Sequence, residues 1–329
     1  MSEGFTCDSL TDIAHRISEF DSFVICGHVS PDGDCVGSQL ALSHALRALG
    51  KEAQCILVKD EKIEEGLTFL PGAQELVPAQ AFVESPDVFI AVDVPTLDRI
   101  GQASEIHTRC KTTITIDHHG VDKPMSDLNY VDPRMASTTM IIWNLIAEMG
   151  VAYTPEMAIC AYTGLMTDTG GFRFQNADAA SFEAASQMVS AGANPANIAR
   201  EVFQTRSLAS LKLESLALDR LYVPEDGSYV LSYLSLSDFE ACSGNKVDAD
   251  PIINTLRELK GARVACMLRE QDGSVRGSIR AKDDTDVAAF ARQFKGGGHK
   301  AAAGFTIFSS LEEAVEKVKN LLPSALSSK

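Results

Sequence analysis

The sequence predicts an α/β fold in two parts: a parallel-sheet N-terminal domain and a smaller α/β C-terminal domain, with a cleft expected between them. Three observations carry this. Short apolar runs alternate with helix-period segments through the first two-thirds of the chain, the pattern of strands laid parallel by helical crossovers. The texture changes near residue 222, beyond which strands and a hairpin signal dominate. Asp and His recur where the apolar runs stop, and functional residues of parallel sheets gather at those strand ends.

In chain order, Ser22–Cys26 is a short apolar run stopped by Gly27 and reads as a buried strand. Residues 37–49 place Leu40, Ala41, Ala45, Leu46 and Leu49 at helical spacing, closed by Gly50. Segments 53–58, 88–92 and 113–116 read as further strands. Residues 137–149 and 156–167 read as helices, the second led by Pro155. Helices are expected over 179–191 and, as one long connector, 194–221. After the boundary, 229–236 reads as a strand. Residues 262–269 and 274–281 read as a hairpin around Gln271-Asp272-Gly273. A helix over 286–294, a glycine-rich loop at 296–300, and a last strand and helix follow. The expected domains are 1–222 and 223–329.

The chain has 329 residues, 45% hydrophobic and 22% charged, an ordinary globular balance. Its formal charge is −16. A protein that coats long nucleic acid should be basic, so long duplex DNA is not an expected partner. Residues 257–300 run against this trend, with basic residues outnumbering acidic ones, and suit phosphate. No apolar run approaches the ~18–20 residues that span a bilayer, and the N-terminus lacks a signal-peptide pattern. The eight Cys include no CxxC pair, so reduced thiols and a cytoplasmic location are expected.

The chemistry concentrates in four segments. His28, Asp32 and Asp34 share one loop after the first strand. Asp93 ends the 88–92 strand. Asp117, His118 and His119 follow the 113–116 strand, and Asp168 follows a helix. A single Asp after a strand is ordinarily a turn or a cap. Several carboxylates converging repel one another unless cations neutralise them. The set suits two divalent ions about 3.5–4 Å apart that hold a phosphate and lower the pKa of a water. Mixed imidazole and carboxylate donors favour Mn²⁺, with Mg²⁺, Co²⁺ or Zn²⁺ also suited. Cys35 has no partner thiol and reads as a small helix-face residue. His15, His44 and His107 read as structural, Trp143 as core, and Phe172 and Phe174 as packing residues.

His28-x-x-x-Asp32-x-Asp34, Asp93, Asp117-His118-His119 and Asp168 resemble the ordered motifs of the DHH phosphoesterase superfamily. Gly296-Gly-Gly-His-Lys-Ala-Ala-Ala-Gly-Phe305 resembles the DHH-associated C-terminal domain. The stand-alone length resembles the NrnA-type nanoRNase and pAp-phosphatase branch. RecJ nucleases are usually longer, and family II pyrophosphatases lack the glycine-rich motif. Ser30 and Cys35 depart from the usual Asn and Ala of the first motif, at positions that are not ligands.

The resemblance implies roles. His28 and Asp32 would bind the first metal; Asp34, His118 and Asp168 the second; Asp93 would bridge them. His119 would sit beside the scissile phosphate as a catalytic residue, and Asp117 would orient a histidine or the backbone. Arg280, Gly297, Gly298 and His299 would hold the far end of the substrate. Ser137, Thr138 and Thr139 would either offer donors to phosphate or cap a helix. The implied function is a metal-dependent phosphodiesterase that cuts oligoribonucleotides of about two to five residues to 5′-mononucleotides, with removal of the 3′-phosphate of pAp as a further activity. Two anchors across the expected cleft would favour short substrates. The competing readings are a cyclic di-AMP or pApA phosphodiesterase and a non-catalytic nucleotide-binding protein. The resemblance also implies a homodimer.

Overall fold

The computed structural model describes residues 7–120 and 123–327. It divides into two units, Met1–Thr205 and Arg206–Lys329. The first contains α1 (Leu10–Ser18), β1 (Ser22–Cys26), α2 (Gly33–Ala48), β2 (Glu52–Leu57), β3 (Val77–Pro78), β4 (Val88–Val92), α3 (Ser104–Arg109), β5 (Thr112–Asp117) and β6 (Leu128–Val131). α4 (Thr138–Glu148), α5 (Pro155–Asp168), α6 (Ala179–Ser190) and α7 (Pro195–Phe203) complete it. The six strands form one parallel sheet in the order β3-β2-β1-β4-β5-β6. The chain leaves β1 for β2 on one side and returns to β4 on the other. The ends of β1 and β4 therefore flank a topological switch point, where α/β sheets bind ligands.

β4 is buried along its whole length, which explains its unbroken Val-Phe-Ile-Ala-Val run: both faces of a parallel sheet are covered. α2 is buried on nearly every side, and a helix so placed carries apolar or small residues all round. Its closest neighbour is α5. A Cβ on Gly37 would stand 2.5 Å from the Cys160 carbonyl oxygen, and one on Gly164 would stand 2.4 Å from Thr139 Cγ2 and 2.8 Å from Asp34 Oδ1. The two glycines let the helices approach. Gly164→Ala is expected to destabilise the protein by about 1–3 kcal/mol through overpacking, outweighing a helix-propensity gain of about 1 kcal/mol. A thermal melt should show Tm lower by about 2–8 °C; an unchanged Tm would mean that Thr139 yields freely.

The second unit contains α8 (Leu208–Asp219), β7 (Tyr229–Leu234), α9 (Leu236–Cys242), α10 (Ile252–Arg257), β8 (Val264–Gln271), β9 (Ser274–Ala281), α11 (Val287–Arg292), β10 (Gly297–His299), β11 (Ala302–Ile307) and α12 (Leu311–Ser327). Its sheet runs β10-β11-β9-β8-β7. Val275, Ile279 and Ala281 alternate into a core with Phe290, Phe305 and Val318. Ala265 and Met267 face the other way, onto Leu213, Ile252 and Leu256. The hairpin β8-β9 turns through Gly273 at φ +69.

The division falls before the boundary expected at 222, because the long connector is two helices. Ser207 caps α8 by accepting from Ser210 N–H at 2.9 Å, and Leu213 and Ala217 are buried with Val230 and Leu234 of the second unit. The glycine-rich segment, expected as a loop, includes β10: Gly297, Gly298 and His299 pair with Gly304, Ala303 and Ala302. Trp143 is fully buried and stacks on Tyr153 with centroids 3.7 Å apart, as expected of a core residue. Among the described residues no helix is long and apolar enough to cross a membrane.

Candidate metal centre

The first unit gathers its Asp and His residues at the carboxyl ends of β1, β4 and β5. Asp32 caps α2, its Oδ1 accepting from the N–H groups of Asp34 and Cys35 at 3.1 Å. That cap fixes the loop of His28 against the first turn carrying Asp34. Asp93, directly after β4, adopts φ +57, a left-handed conformation that Asp tolerates better than most residues. Its backbone N–H donates to the Ile116 carbonyl at 3.0 Å, which ties it to β5.

Asp93 stands at the centre. Its Oδ2 lies 3.4 Å from His28 Nε2. Its Oδ1 lies 3.6 Å from His118 Nε2 and 3.4 Å from His119 Nδ1. One carboxylate thus faces both sides of the cluster. On one side His28 Nε2 is also 3.8 Å from Asp32 Oδ1. On the other, His118 Nε2 is 3.3 Å from Asp168 Oδ2 and 3.9 Å from Asp34 Oδ2.

The histidines are oriented from behind. His28 Nδ1 is 2.9 Å from the Val29 carbonyl oxygen, and His118 Nδ1 is 3.2 Å from that of Met135. A backbone carbonyl can only accept a hydrogen bond, so Nδ1–H donates and Nε2 faces the carboxylates, the arrangement of metal-ligating imidazoles. His119 differs. Its Nδ1 lies 2.7 Å from Asp117 Oδ1, which also accepts from His119 N–H at 3.0 Å. Asp117 is fully buried, and its Oδ2 has no hydrogen-bond partner among the described residues.

The electrostatics point to a cation. Burial, and then repulsion by Asp93, pushes the Asp34 carboxyl up to about 7. Burial and the neighbouring Asp34, Asp32 and Asp93 hold Asp168 well above the carboxylate range. Burial opposes ionisation of Asp93, yet the His28 hydrogen bond and the His119 charge bring it down to about 2. Burial opposes protonation of His28 as well, but Asp93 and Asp32 raise it to about 9. Without a metal, Asp34, Asp168 and His28 hold their protons more tightly than free groups do. Divalent cations fit its donors: Asp34, His118 and Asp168 form one group that could hold an ion, and Asp93, His118 and His119 another, with donor atoms within 4.8 Å. A third group joins His28 and Asp93 with Cys35. That thiol reads from sequence as a small helix-face residue; its position next to Asp34 on α2 was the available signal.

Ser137 and Thr138, expected either to offer donors to phosphate or to cap a helix, make hydrogen bonds within the protein. Both are fully buried. Thr138 N–H donates to Asp34 Oδ2 at 2.6 Å, Thr139 N–H to Oδ1 at 2.9 Å, and Thr138 Oγ1 to Asp93 Oδ1 at 3.1 Å. Ser137 caps α4, its Oγ accepting from Met140 N–H at 3.3 Å. The N-terminus of α4 is thus occupied by the protein's own Asp34 carboxyl group.

In the second unit, Arg280 is half-buried on β9 and donates from Nη1 to the Ile279 carbonyl at 3.1 Å. Burial and repulsion by Arg257 and Arg269 lower its pKa, an environment that an anion relieves. Arg280, Ala302 and His299 share one row of paired backbone across β9, β11 and β10; the His299 side chain lies outside the described residues. Gly298 is required by strand pairing: at φ +141, a Cβ there would meet the Ala302 carbonyl oxygen at 2.4 Å. Among the described residues, nothing lies within 4 Å of a Cβ position on Gly297.

Sheet, switch point and clustered Asp and His define a hydrolase of phosphate esters, and the chain belongs to the DHH family. Residues 22–165 match the DHH family, N-terminal domain, and residues 227–324 match the DHHA1 domain. The bifunctional oligoribonuclease and PAP phosphatase NrnA of Thermus thermophilus is 31% identical, over 89% of this chain and 87% of the relative. NrnA of Bacillus subtilis is 26% identical over 91% and 93%. The crystal structure of an exopolyphosphatase-related protein from Bacteroides fragilis is 28% identical, with a TM-score of 0.91 over 96% of both chains.

Proposed function

We propose that this protein hydrolyses short oligoribonucleotides to 5′-mononucleotides with two Mn²⁺ ions, and removes the 3′-phosphate of pAp at the same site. The observation that carries this is Asp93, whose two oxygens face His28 on one side and His118 with His119 on the other. The names of the Thermus and Bacillus relatives supply the substrates. His28 and Asp32 would hold one ion, Asp34, His118 and Asp168 the other, and Asp93 both. When bound, the pair supplies positive charge to the phosphate and lowers the pKa of a water. His119 would place a proton at Nε2 for the leaving oxygen, because Asp117 occupies Nδ1. Burial works against that proton, but Asp117 and Asp93 raise His119 above its ordinary value. Asp117 fixes the ring through that hydrogen bond. Arg280, with Gly297 and His299, would take the substrate's far phosphate.

The test is product formation with Mn²⁺ on pApA, a five-nucleotide RNA, a 24-nucleotide RNA, pAp and cyclic di-AMP. Rates falling with length and yielding 5′-mononucleotides support the proposal. Turnover confined to cyclic di-AMP would replace it with the cyclic dinucleotide reading, and nucleotide binding without turnover with the non-catalytic one. In the same assay Arg280→Ala is expected to raise KM for pApA about 10- to 100-fold, because a charge-assisted hydrogen bond contributes about 1.5–3 kcal/mol. An unchanged KM removes Arg280 from the substrate site.

A further inference from the structure

We propose that the C-terminal unit holds a second nucleoside-phosphate site, in the cavity between the end of β11 and α12, with Arg276, Lys295 and Lys317 on the phosphate and Phe308 against the base. The cavity measures about 560 Å³, within the roughly 300–1,000 Å³ of small-ligand pockets. The charged residues lining it are Arg276, Lys295 and Lys317, all basic, in a chain of net charge −16.

The three cations lack the partners that neutralise their neighbours. Arg269 is paired with Asp250 and Lys319 with Glu316. Among the described residues, Arg276, Lys295 and Lys317 form no ion pair. Arg276 also stands directly opposite Arg269 in the β8-β9 ladder, where like charges repel. Its side chain is nonetheless held in place. It lies across Gly304, whose Cβ would come within 2.7 Å of Nη2, and Nη1 lies 3.3 Å from Thr306 Oγ1. Lys295 adopts φ +57, a conformation that costs a non-glycine residue about 1–2 kcal/mol. An anion bound in the cavity meets this basic lining and offsets the repulsion between Arg276 and Arg269.

The aromatic lining narrows the ligand. Phe294 stacks on Phe305 with centroids 5.0 Å apart, and Lys317 Nζ stands 5.4 Å from its ring centroid. Phe308 is 85% exposed, a large apolar ring left in water beside three cations. A flat π-system next to a phosphate matches both halves of the cavity, and stacking a base on an aromatic residue contributes about 1–3 kcal/mol. Inorganic phosphate meets only the cations. Choosing a nucleotide over other aromatic anions rests on the phosphodiesterase reading above. The same chemistry is offered by a free mononucleotide and by the terminal residue of an RNA strand.

The test is photolabelling of the full chain by 8-azido-AMP in chelator, followed by peptide mapping. Label is expected on the peptide containing Phe308, and at least tenfold less in the Lys295→Glu/Lys317→Glu double variant, both positions being exposed. Phe308→Ala should weaken protection by AMP and leave protection by inorganic phosphate unchanged. Protection at lower concentration by AMP than by a five-nucleotide RNA identifies the free nucleotide as ligand; the reverse identifies the strand terminus. Label absent from that peptide, or equal in the double variant, overturns the proposal. The metal-loaded double variant should hydrolyse pApA at the wild-type rate. Intact hydrolysis without the label disproves this site alone, whereas a metal-loaded wild type that hydrolyses nothing disproves the reading beneath it.

Discussion

Asp93→Asn is expected to lower turnover of a dinucleotide at least about 10³-fold while leaving the fold intact. Asparagine is nearly the size of aspartate and also tolerates the left-handed conformation found here at φ +57. The substitution therefore reads the carboxylate rather than the backbone. One of the oxygens facing His28 and His118 becomes an NH₂ donor, which cannot bind a cation, and the negative charge between the two sides is lost. Several kcal/mol of charge stabilisation ride on such a centre, and each 1.36 kcal/mol is tenfold in rate. Steady-state kinetics in saturating Mn²⁺, with a melt as the folding control, decide the matter. Activity within tenfold of wild type would remove Asp93 from the centre.

The second large effect is on stability. Stripped of metal, the protein should become less stable as pH rises from about 5 to 9. Asp34 sits at about 7 in the fold against about 3.9 in an unfolded chain. Between those values the folded state holds a proton that the unfolded state has released, so raising pH favours unfolding. His28 adds to this. With a folded value of about 9, its contribution is complete below about 6.5 and is lost as pH rises through 9. Asp93, held at about 2, gives its full contribution above about 4 and loses it only as pH falls toward 2, so it adds no slope between pH 5 and 9. A bound cation replaces those protons, and its ligands bind best deprotonated. At 100 times its Kd an ion contributes about 2.7 kcal/mol, or roughly 5–10 °C in Tm. Melts of chelated and Mn²⁺-loaded protein at pH 6 and pH 8.5 should show the larger metal increment at pH 8.5. A chelated protein more stable at pH 8.5 than at pH 6 would contradict the proton inventory.

Much of the cluster was legible because each contributing strand is an apolar run that stops at Asp or at a glycine followed by His. Chain order alone then puts His28, Asp34, Asp93 and His118 at one end of a parallel sheet. Ser137-Thr138-Thr139 was not legible. The same residues serve as a cap or as a phosphate cradle, and only Asp34, 104 residues earlier than Thr138, decides which. β10 was hidden for another reason. Gly297-Gly298-His299 has little strand propensity, and pairing with β11 imposes the extended form. The break between α7 and α8 was obscured because helix-compatible residues run through it, although Ser207 stood ready as a cap.

The grip of α4 on Asp34 has a kinetic consequence. Two backbone amides and the helix dipole hold that carboxylate whether or not a cation is present, and the Val29 and Met135 carbonyls likewise fix His28 and His118. If the pair binds as proposed, its loss would leave these three donors held by the same hydrogen bonds. Reloading an emptied centre then involves dehydrating an ion rather than rebuilding a pocket, and its rate should follow free metal concentration with no slow phase. Under the two-ion proposal, activity would then return as fast as free metal is restored.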